Sequence, residues 1–356
     1  PMILTMAASQ QNRIAWISSL RGLMIGTSEG EWRLRASDSA GINANNAEFE
    51  RHSGVGSSLL DALTVENSLL FVQQGGRKVR EFFYSLEADG FLTRDVSLLS
   101  DHLLTEGIVD WTVQRSTAFH VWCVLKDGSA VCMTLNREQN IVAWHAHRLE
   151  HGRILSVASL RSSQDTQDEE VWFTVERGEG EHACITVERM AEGNEYLDAC
   201  TEAVVRDGRL SGLRHLAGCE AVLMDGNGFC STILVDGEGN APCPERREGE
   251  TVRAGMAAPA EVRTMPLESL ETLGRLKKQL GARALLHESS LQFLYGTGTP
   301  GAWRRFQPGR YGAEAPYSGY VRLTHNYGTD EQAAFALRVE EPGPFNLLAL
   351  VLDVEL

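Results

Sequence analysis

The stretch VWCVLKDGSAVCMTL (121–135) decides the fold class, because it places two apolar runs around one turn signal. The dipeptide Asp127-Gly128 separates the runs, and Asp-Gly favours the positive φ angles of a type I′ hairpin. Residues 121–125 are apolar at every position, whereas a hairpin on a surface would alternate apolar and polar residues. This continuous apolarity indicates a strand that is buried on both faces, as in stacked sheets.

Similar strand pairs recur on both sides of this hairpin. The strand centres fall near Ile25, Leu70, Trp122 and Trp172, at steps of 45, 52 and 50 residues. A period of about 50 residues with several strands in each repeat is typical of β-propeller blades. A row of β-sandwich hairpins would give a similar spacing. We therefore predict an all-β chain in which residues 1–195 form β-propeller-like, repeated antiparallel blades.

The second repeat, LLFVQQGGRKVREFFYSLEADGF (69–91), contains a double glycine. A phosphate-binding loop would need a helix directly after Gly75-Gly76, and the β-rich run VREFFY follows instead. A kelch blade also carries a double glycine, but the Tyr and Trp residues of that motif do not recur here. We interpret the two glycines as a tight turn between strands.

From about residue 196 the turns become dense and the apolar runs become short. This pattern of dense turns and short apolar runs predicts that residues 196–356 form a smaller, β-sandwich-like all-β domain with one short helix. The helix is predicted over 266–281, where Gly281 would end it. Leucines at helical spacing support it: Leu270, Leu273, Leu276 and Leu280.

Composition excludes several classes of protein. The chain has 356 residues and a formal net charge of −15, which argues against a protein that grips nucleic acid through its phosphates. It has no apolar run long enough for a transmembrane helix and no basic segment typical of a signal peptide. Because residue 1 is proline, we expect that the chain begins inside a longer gene product.

The seven cysteines include no C-x-x-C pair. Cys123, Cys132 and Cys184 lie in apolar, strand-like runs, so we predict reduced cysteines in the core and a reducing compartment. Cys219, Cys230 and Cys243 are spaced too irregularly for a zinc ribbon.

Three histidines close together, His145, His147 and His151, are the only weak candidates for a metal site. His145 and His147 share one face of a strand, which is compatible with metal binding. Because no carboxylate or cysteine completes a ligand set, we favour a histidine cluster at the surface. We predict no metal and no cofactor.

No enzyme motif occurs, and we expect no catalytic residues. The carboxylates Glu169, Glu170, Glu179 and Glu181 lie near predicted turns and are interpreted as solvated. The tryptophans Trp122, Trp144 and Trp172 are interpreted as core residues because apolar residues flank them. The densest basic group is interpreted as a solvated helix face or a contact with an acidic partner; it comprises Arg275, Lys277, Lys278 and Arg283.

Several long blocks, read in order, resemble one family of proteins. The blocks of the first part are RIAWISSLRGLMIGTSEGEW (13–32), LLFVQQGGRKVREFFYSLEADGF (69–91), GIVDWTVQRSTAFHVWCVLKDG (107–128), LNREQNIVAWHAHRL (135–149), DEEVWFTVER (168–177) and ITVERM (185–190). The later blocks are GLRHLAGCEAVLMDGNG (212–228), TMPLE (264–268) and LLALVLDVEL (347–356). The chain resembles phage and prophage tail proteins related to the stabilisation (tail-hub or nozzle) proteins of short-tailed phages.

The resemblance implies a structural virion component without catalytic residues. Such a protein would be made in the host cytoplasm and would join a homo-oligomeric ring around the DNA exit channel of the virion tail. Its partners would be other tail or portal proteins, and DNA would pass without specific binding. Because the relatives are longer at the N-terminus, the resemblance also implies a C-terminal fragment. The alternative is a carbohydrate-binding or glycoside-cleaving propeller that acts on the bacterial surface.

Overall fold

The structure is a computed structural model, and its described part covers most of the chain. The described residues are 3–6, 12–38, 41–116, 119–162, 168–178, 180, 183–191, 196–226, 230–266, 274–297, 302–311, 316–324, 329–330 and 334–355. The chain divides into two compact units. The first unit comprises 1–177 and 183–190, and the second unit comprises 178–182 and 191–356.

The first unit contains fifteen described strands in four antiparallel sheets. The strands are β1 (Ile14–Ser19), β2 (Leu23–Thr27), β3 (Gly30–Ala36), β4 (Ala47–Ser53), β5 (Leu63–Val65), β6 (Ser68–Val72), β7 (Val79–Ser85), β8 (Gly90–Asp95), β9 (Ile108–Arg115), β10 (Phe119–Leu125), β11 (Ala130–Asn136), β12 (Ile141–His147), β13 (Gly152–Arg161), β14 (Glu169–Arg177) and β15 (Cys184–Arg189). A 3-10 helix spans Leu98–Leu103. In each sheet, strands that follow one another in the chain pair side by side, so each sheet is a simple meander.

The four sheets stack in chain order, and an apolar layer fills each space between them. Trp16 and Phe71 belong to the layer between the first sheet (β1–β4) and the second (β5–β8). Leu70 and Val121 belong to the layer between the second sheet and the third (β9–β12). Trp122 belongs to the layer between the third sheet and the fourth (β13–β15).

The strand β10 confirms the prediction of burial on both faces, since all five residues of 121–125 are buried. Odd-numbered side chains such as Val121 pack toward the second sheet, and even-numbered ones such as Trp122 pack toward the fourth. The all-β class is thereby confirmed, and closure of a propeller stays a prediction.

The turn after β10 differs from the predicted type I′ turn. Gly128 has a positive φ of 87°, whereas Asp127 is not among the residues with positive φ. The amide of Gly128 donates to the carbonyl of Leu125 at 2.9 Å, and the amide of Leu125 donates to the carbonyl of Ser129 at 2.8 Å. This is a longer hairpin loop with one left-handed glycine. Asp127 instead accepts hydrogen bonds from the Ser129 amide and hydroxyl at 3.0 and 2.6 Å, which stabilises the turn.

The double glycine lies in the turn between β6 and β7. Gly75 and Gly76 have φ angles of 95° and 77°, which a side chain would disfavour. The amide of Gly76 donates to the carbonyl of Gln73, and the strand β7 begins three residues after Gly76. The tight-turn interpretation therefore agrees with the structure.

The second unit is also built of antiparallel strands and short 3-10 helices among its described residues. Its strands are β16 (Leu197–Val204), β17 (Arg209–Leu210), β18 (Glu220–Met224), β19 (Cys230–Leu234), β20 (Ala241–Pro242), β21 (Thr251–Ala257), β22 (Ala260–Arg263), β23 (Lys277–Ser289), β24 (Leu294–Gly296), β25 (Arg304–Arg305), β26 (Tyr317–Thr324), β27 (Thr329–Asp330), β28 (Ala336–Val339) and β29 (Leu347–Glu355). The 3-10 helices are Arg214–Leu216 and Gly309–Tyr311.

The described strands of this unit form two pairs of sheets. The four-stranded sheet β16-β21-β18-β19 and the strand pair β17-β20 share one apolar core. The sheet β22-β28-β24-β25 shares a second core with a sheet in which β23 pairs with β26, β27 and β29. No helix among the described residues is long and apolar enough to cross a membrane.

The helix predicted over 266–281 is wrong where the structure describes it. Residues 267–273, and with them Leu270 and Leu273, lie outside the described residues, and 277–281 belong to the long strand β23. Lys277 and Gln279 are buried while Leu276 and Leu280 are exposed, which reverses the predicted apolar face. Pairing of β23 with β27 and β29 overrides the local helical pattern.

The basic group in this segment is correspondingly not one solvated face. The side chain of Lys277 is 1% exposed. Lys278 and Arg283 are partly exposed and form ion pairs with Glu355 and Asp353 at 3.9 and 3.4 Å. Both ion pairs link β23 to β29, and the backbone pairing of these two strands holds them side by side.

Candidate functional site

The fourth sheet ends the stack of the first unit and has one face that no other described sheet of that unit covers. Alternation along β14 turns Val171, Phe173 and Val175 toward the third sheet, where they are buried. The same alternation turns Trp172 and Thr174 to the opposite side. The end of the stack therefore presents a sheet face whose side chains contact solvent.

We call this surface the open face. A shallow cavity of about 370 Å³ lies on it. The residues that line the cavity are mostly small or apolar: Ser156, Ala158, Leu160, Trp172, Phe173, Thr174 and Val187. Leu160 is 56% exposed and Val187 is 68% exposed. The open face therefore exposes apolar side chains beside this cavity.

Polar groups lie at one end of the open face. The carboxylate of Glu170 accepts a hydrogen bond from the indole Nε1 of Trp172 at 3.2 Å. Arg189 on β15 forms an ion pair with the same carboxylate at 3.4 Å. These contacts tie the Trp172 indole to Glu170 at this end of the open face.

Trp172 was predicted to be a core residue, and this prediction is wrong. Its even position on β14 places it on the open face, half-buried. Trp122 is a core residue, at 6% exposure. Trp144 is half-buried against the layer between the second and third sheets, and its Nε1 donates to the carbonyl of Val96 at 3.0 Å.

The structure does not bring the carboxylates Glu169 and Glu170 together in one site. Glu169 accepts a hydrogen bond from the Arg115 amide at 2.6 Å and from the Ser159 hydroxyl at 3.0 Å, so it joins β14 to β9 and β13. Glu179 and Glu181 lie outside the described residues. Glu169 and Glu170 alternate on β14 and therefore face opposite sides of the sheet.

The inner face of the fourth sheet contains a buried ion pair. The guanidinium of Arg177 on β14 has a side-chain exposure of 0%. Its Nε and Nη2 donate to the two carboxylate oxygens of Glu188 on β15 at 2.9 and 2.7 Å. The hydroxyl of Thr186 donates to Glu188 at 2.6 Å. This bidentate geometry fixes β15 against β14.

His145 and His147 lie together on the edge strand β12, beside Trp122. The ring centroids of the two histidines are 4.8 Å apart, and those of His147 and Trp122 are 4.9 Å apart. The Nε2 atom of His147 is buried without a hydrogen-bond partner among the described residues. Burial, and then the neighbouring His145, lower the pKa of His147 to about 4. Burial, and then His120, lower the pKa of His145.

The third histidine lies apart from this pair in the turn between β12 and β13. His151 is exposed and has a φ of 56°. Within the described part of the chain, no group of three or more His, Cys, Asp or Glu side chains could hold a metal ion. The structure therefore brings His145 and His147 together as an aromatic cluster with Trp122.

Acidification is expected to destabilise the first unit through His147. Because its folded-state pKa lies below the unfolded value of about 6.5, stability is complete above that pH and is lost as the pH falls toward 4. At pH 5 the loss should be about 2 kcal/mol. Urea unfolding at pH 7.5 and pH 5 should show a smaller loss in His147→Leu than in the wild type. The control His151→Asn should behave as the wild type, and an unchanged pH dependence in His147→Leu would contradict this prediction.

The cysteines show no sign of reactive or metal-binding chemistry. Cys123 and Cys132 are buried thiols, as predicted, and Cys184 is half-buried. Burial raises the pKa of Cys132 to about 12. Burial likewise raises the pKa values of Cys230 and Cys243, which favours the protonated thiol in both.

Comparison with known proteins finds no family model that matches the chain and no curated protein that matches its sequence. The open face is the candidate functional surface of the first unit. The sequence analysis missed this surface. The only signal for it was the alternation in ITVER (185–189), where apolar and polar residues alternate.

Proposed function

We propose that this protein is a structural component of a phage or prophage tail, as part of a ring around the DNA exit channel at the tail hub or nozzle. One observation carries the proposal: the stack of antiparallel sheets in the first unit ends on a face with exposed apolar side chains, which no other described sheet of that unit covers. Leu160 and Val187 are more than half exposed on this face. Exposing such apolar side chains to water is unfavourable in an isolated chain, and a contact with another subunit would bury them. The resemblance to tail proteins supplies the kind of assembly.

The charge of the chain supports a role beside passing DNA. With a formal net charge of −15, the protein would repel DNA phosphates, so the duplex could slide without sticking. The partners would be other tail or portal proteins, and the site of action would be the virion tail after synthesis in the bacterial cytoplasm. We expect no catalytic turnover.

Electron microscopy of the purified chain mixed with tail and portal proteins of the same phage would test this proposal. The expected result is a ring-shaped particle that contains the chain. Trp172→Asp should prevent its formation, while Arg209→Asp, on the short strand β17 of the second unit, should not. A chain that enters no assembly with any tail protein would contradict the proposal.

A carbohydrate-binding protein is the second candidate, and the position of Trp172 favours it. An indole ring beside a shallow cavity, with Glu170 and Arg189 at its edge, resembles the aromatic platform on which a sugar ring stacks. Glycans from the bacterial surface should then bind to the wild type and not to Trp172→Ala. If the tail proposal is correct, adding these glycans should not change the formation of the ring-shaped particle with tail and portal proteins.

A further inference from the structure

Among the described residues, the fourth sheet is one strand short of its neighbours. The first, second and third sheets each contain four strands, while the fourth contains β13, β14 and β15. Among the described residues, β15 pairs only with β14, and no described strand pairs with its outer edge. An open edge offers backbone N–H and C=O groups to another strand.

The hydrogen-bond pattern identifies which backbone groups face the open edge. The amide of Met190 donates to the carbonyl of Val171 on β14 at 2.8 Å. Backbone groups alternate in direction along an antiparallel strand, so those of Thr186 and Glu188 also point to β14. The backbone groups of Ile185, Val187 and Arg189 therefore point away from the sheet.

The side chains at this edge favour a further strand. Ile185 and Val187 are each 68% exposed and lie on the open face. The sequence of β15 contains no proline or lysine, the residues that commonly protect an edge. Its two charged residues have partners within the sheet, since Glu188 contacts Arg177 and Arg189 contacts Glu170.

We propose that β15 pairs with β15 of a second copy of this chain, antiparallel, around a two-fold axis at Thr186. In this register Ile185 lies opposite Val187 of the second copy, and the reverse pair is equivalent. Both pairs use the backbone groups that point away from β14, which gives about four hydrogen bonds. The strand is thus complementary to itself, as a two-fold contact requires.

The side chains match in the same register. Ile185 and Val187 form two apolar cross-strand pairs on the open face, and Thr186 lies opposite Thr186, a favourable pair. The result is a continuous six-stranded sheet across the two copies, in which the open faces lie side by side. This inference does not depend on the tail proposal.

The test uses the full chain and measures its mass in solution by analytical ultracentrifugation over a range of concentrations. The wild type should form a dimer. Val187→Pro removes an N–H that points away from β14, so the sheet should tolerate it, while the dimer dissociation constant should rise about 100-fold. The matched control Val187→Thr keeps the N–H and should still form a dimer. Thermal unfolding of both variants would show that they are folded.

A cysteine scan checks the register. Directly opposite residues at Thr186 would have Cα atoms about 4.5 Å apart, which suits a disulfide. Thr186→Cys should therefore give a covalent dimer on mild oxidation, more readily than Val187→Cys, and the wild type should give none. A wild type that stays monomeric, or a folded Val187→Pro with unchanged mass, would overturn the inference. A tail ring that forms with Val187→Pro would leave the tail proposal intact.

Discussion

Replacing Trp122 with alanine is expected to lower the free energy of unfolding of the first unit by about 3–5 kcal/mol. The side chain fills the layer between the third and fourth sheets, where its ring lies 5.5 Å from the ring of Phe173. Its Nε1 also donates to the amide oxygen of Gln114 at 3.3 Å. The mutation removes this bond and leaves a cavity that two rigid sheets cannot close. Urea unfolding followed by circular dichroism measures the loss.

A second tryptophan of the same unit provides a matched control. Trp172 lies one sheet face away, half-buried, and Trp172→Ala should cost about 1 kcal/mol or less. Both variants replace a tryptophan with alanine. The difference between their losses in free energy of unfolding therefore measures how much the packing between the third and fourth sheets contributes. Equal losses would contradict the assignment of an inner and an outer face to the fourth sheet.

Glu188→Gln is expected to cost about 3 kcal/mol or more, because it removes the negative charge that faces a fully buried guanidinium. Arg177 holds both oxygens of this carboxylate, at 2.9 and 2.7 Å. Glutamine has nearly the same shape, so the loss would come from charge and hydrogen bonding rather than from volume. Thermal and urea unfolding of the variant at neutral pH would measure it.

The double variant Arg177→Met/Glu188→Leu separates this cause from a simple packing effect. Replacing both charged groups with apolar ones should recover most of the stability that Glu188→Gln loses. Arg35→Gln on β3, where the side chain is 50% exposed, serves as a control for loss of a charge at the surface and should change stability little. A Glu188→Gln variant as stable as the wild type would show that the pair is not buried as described.

The sequence predicted the stacked sheets because a strand that is buried on both faces has apolar residues at consecutive positions. Residues 121–125 are apolar at both parities, and each parity packs on a different sheet. The positions of the turns were also predictable from Asp-Gly and Gly-Gly. The detailed turn type at Asp127 was not, because loop length depends on the pairing of Leu125 with Ser129.

Other features depend on partners that are distant in the sequence. Lys277 and Gln279 are buried in β23 because β27 and β29 pair beside them, about 50 to 75 residues later in the chain. The open edge of β15 could not be predicted either. Local sequence reveals a strand, whereas only the three-dimensional arrangement shows how many neighbours that strand has.

The particle mass of the full chain, measured by light scattering alone and with the tail and portal proteins of the same phage, tests the central claim most directly. The tail proposal predicts a defined complex larger than a dimer, formed by the chain itself or with one of these proteins. A chain that never exceeds a dimer in any mixture, and that binds bacterial surface glycans through Trp172, would contradict it.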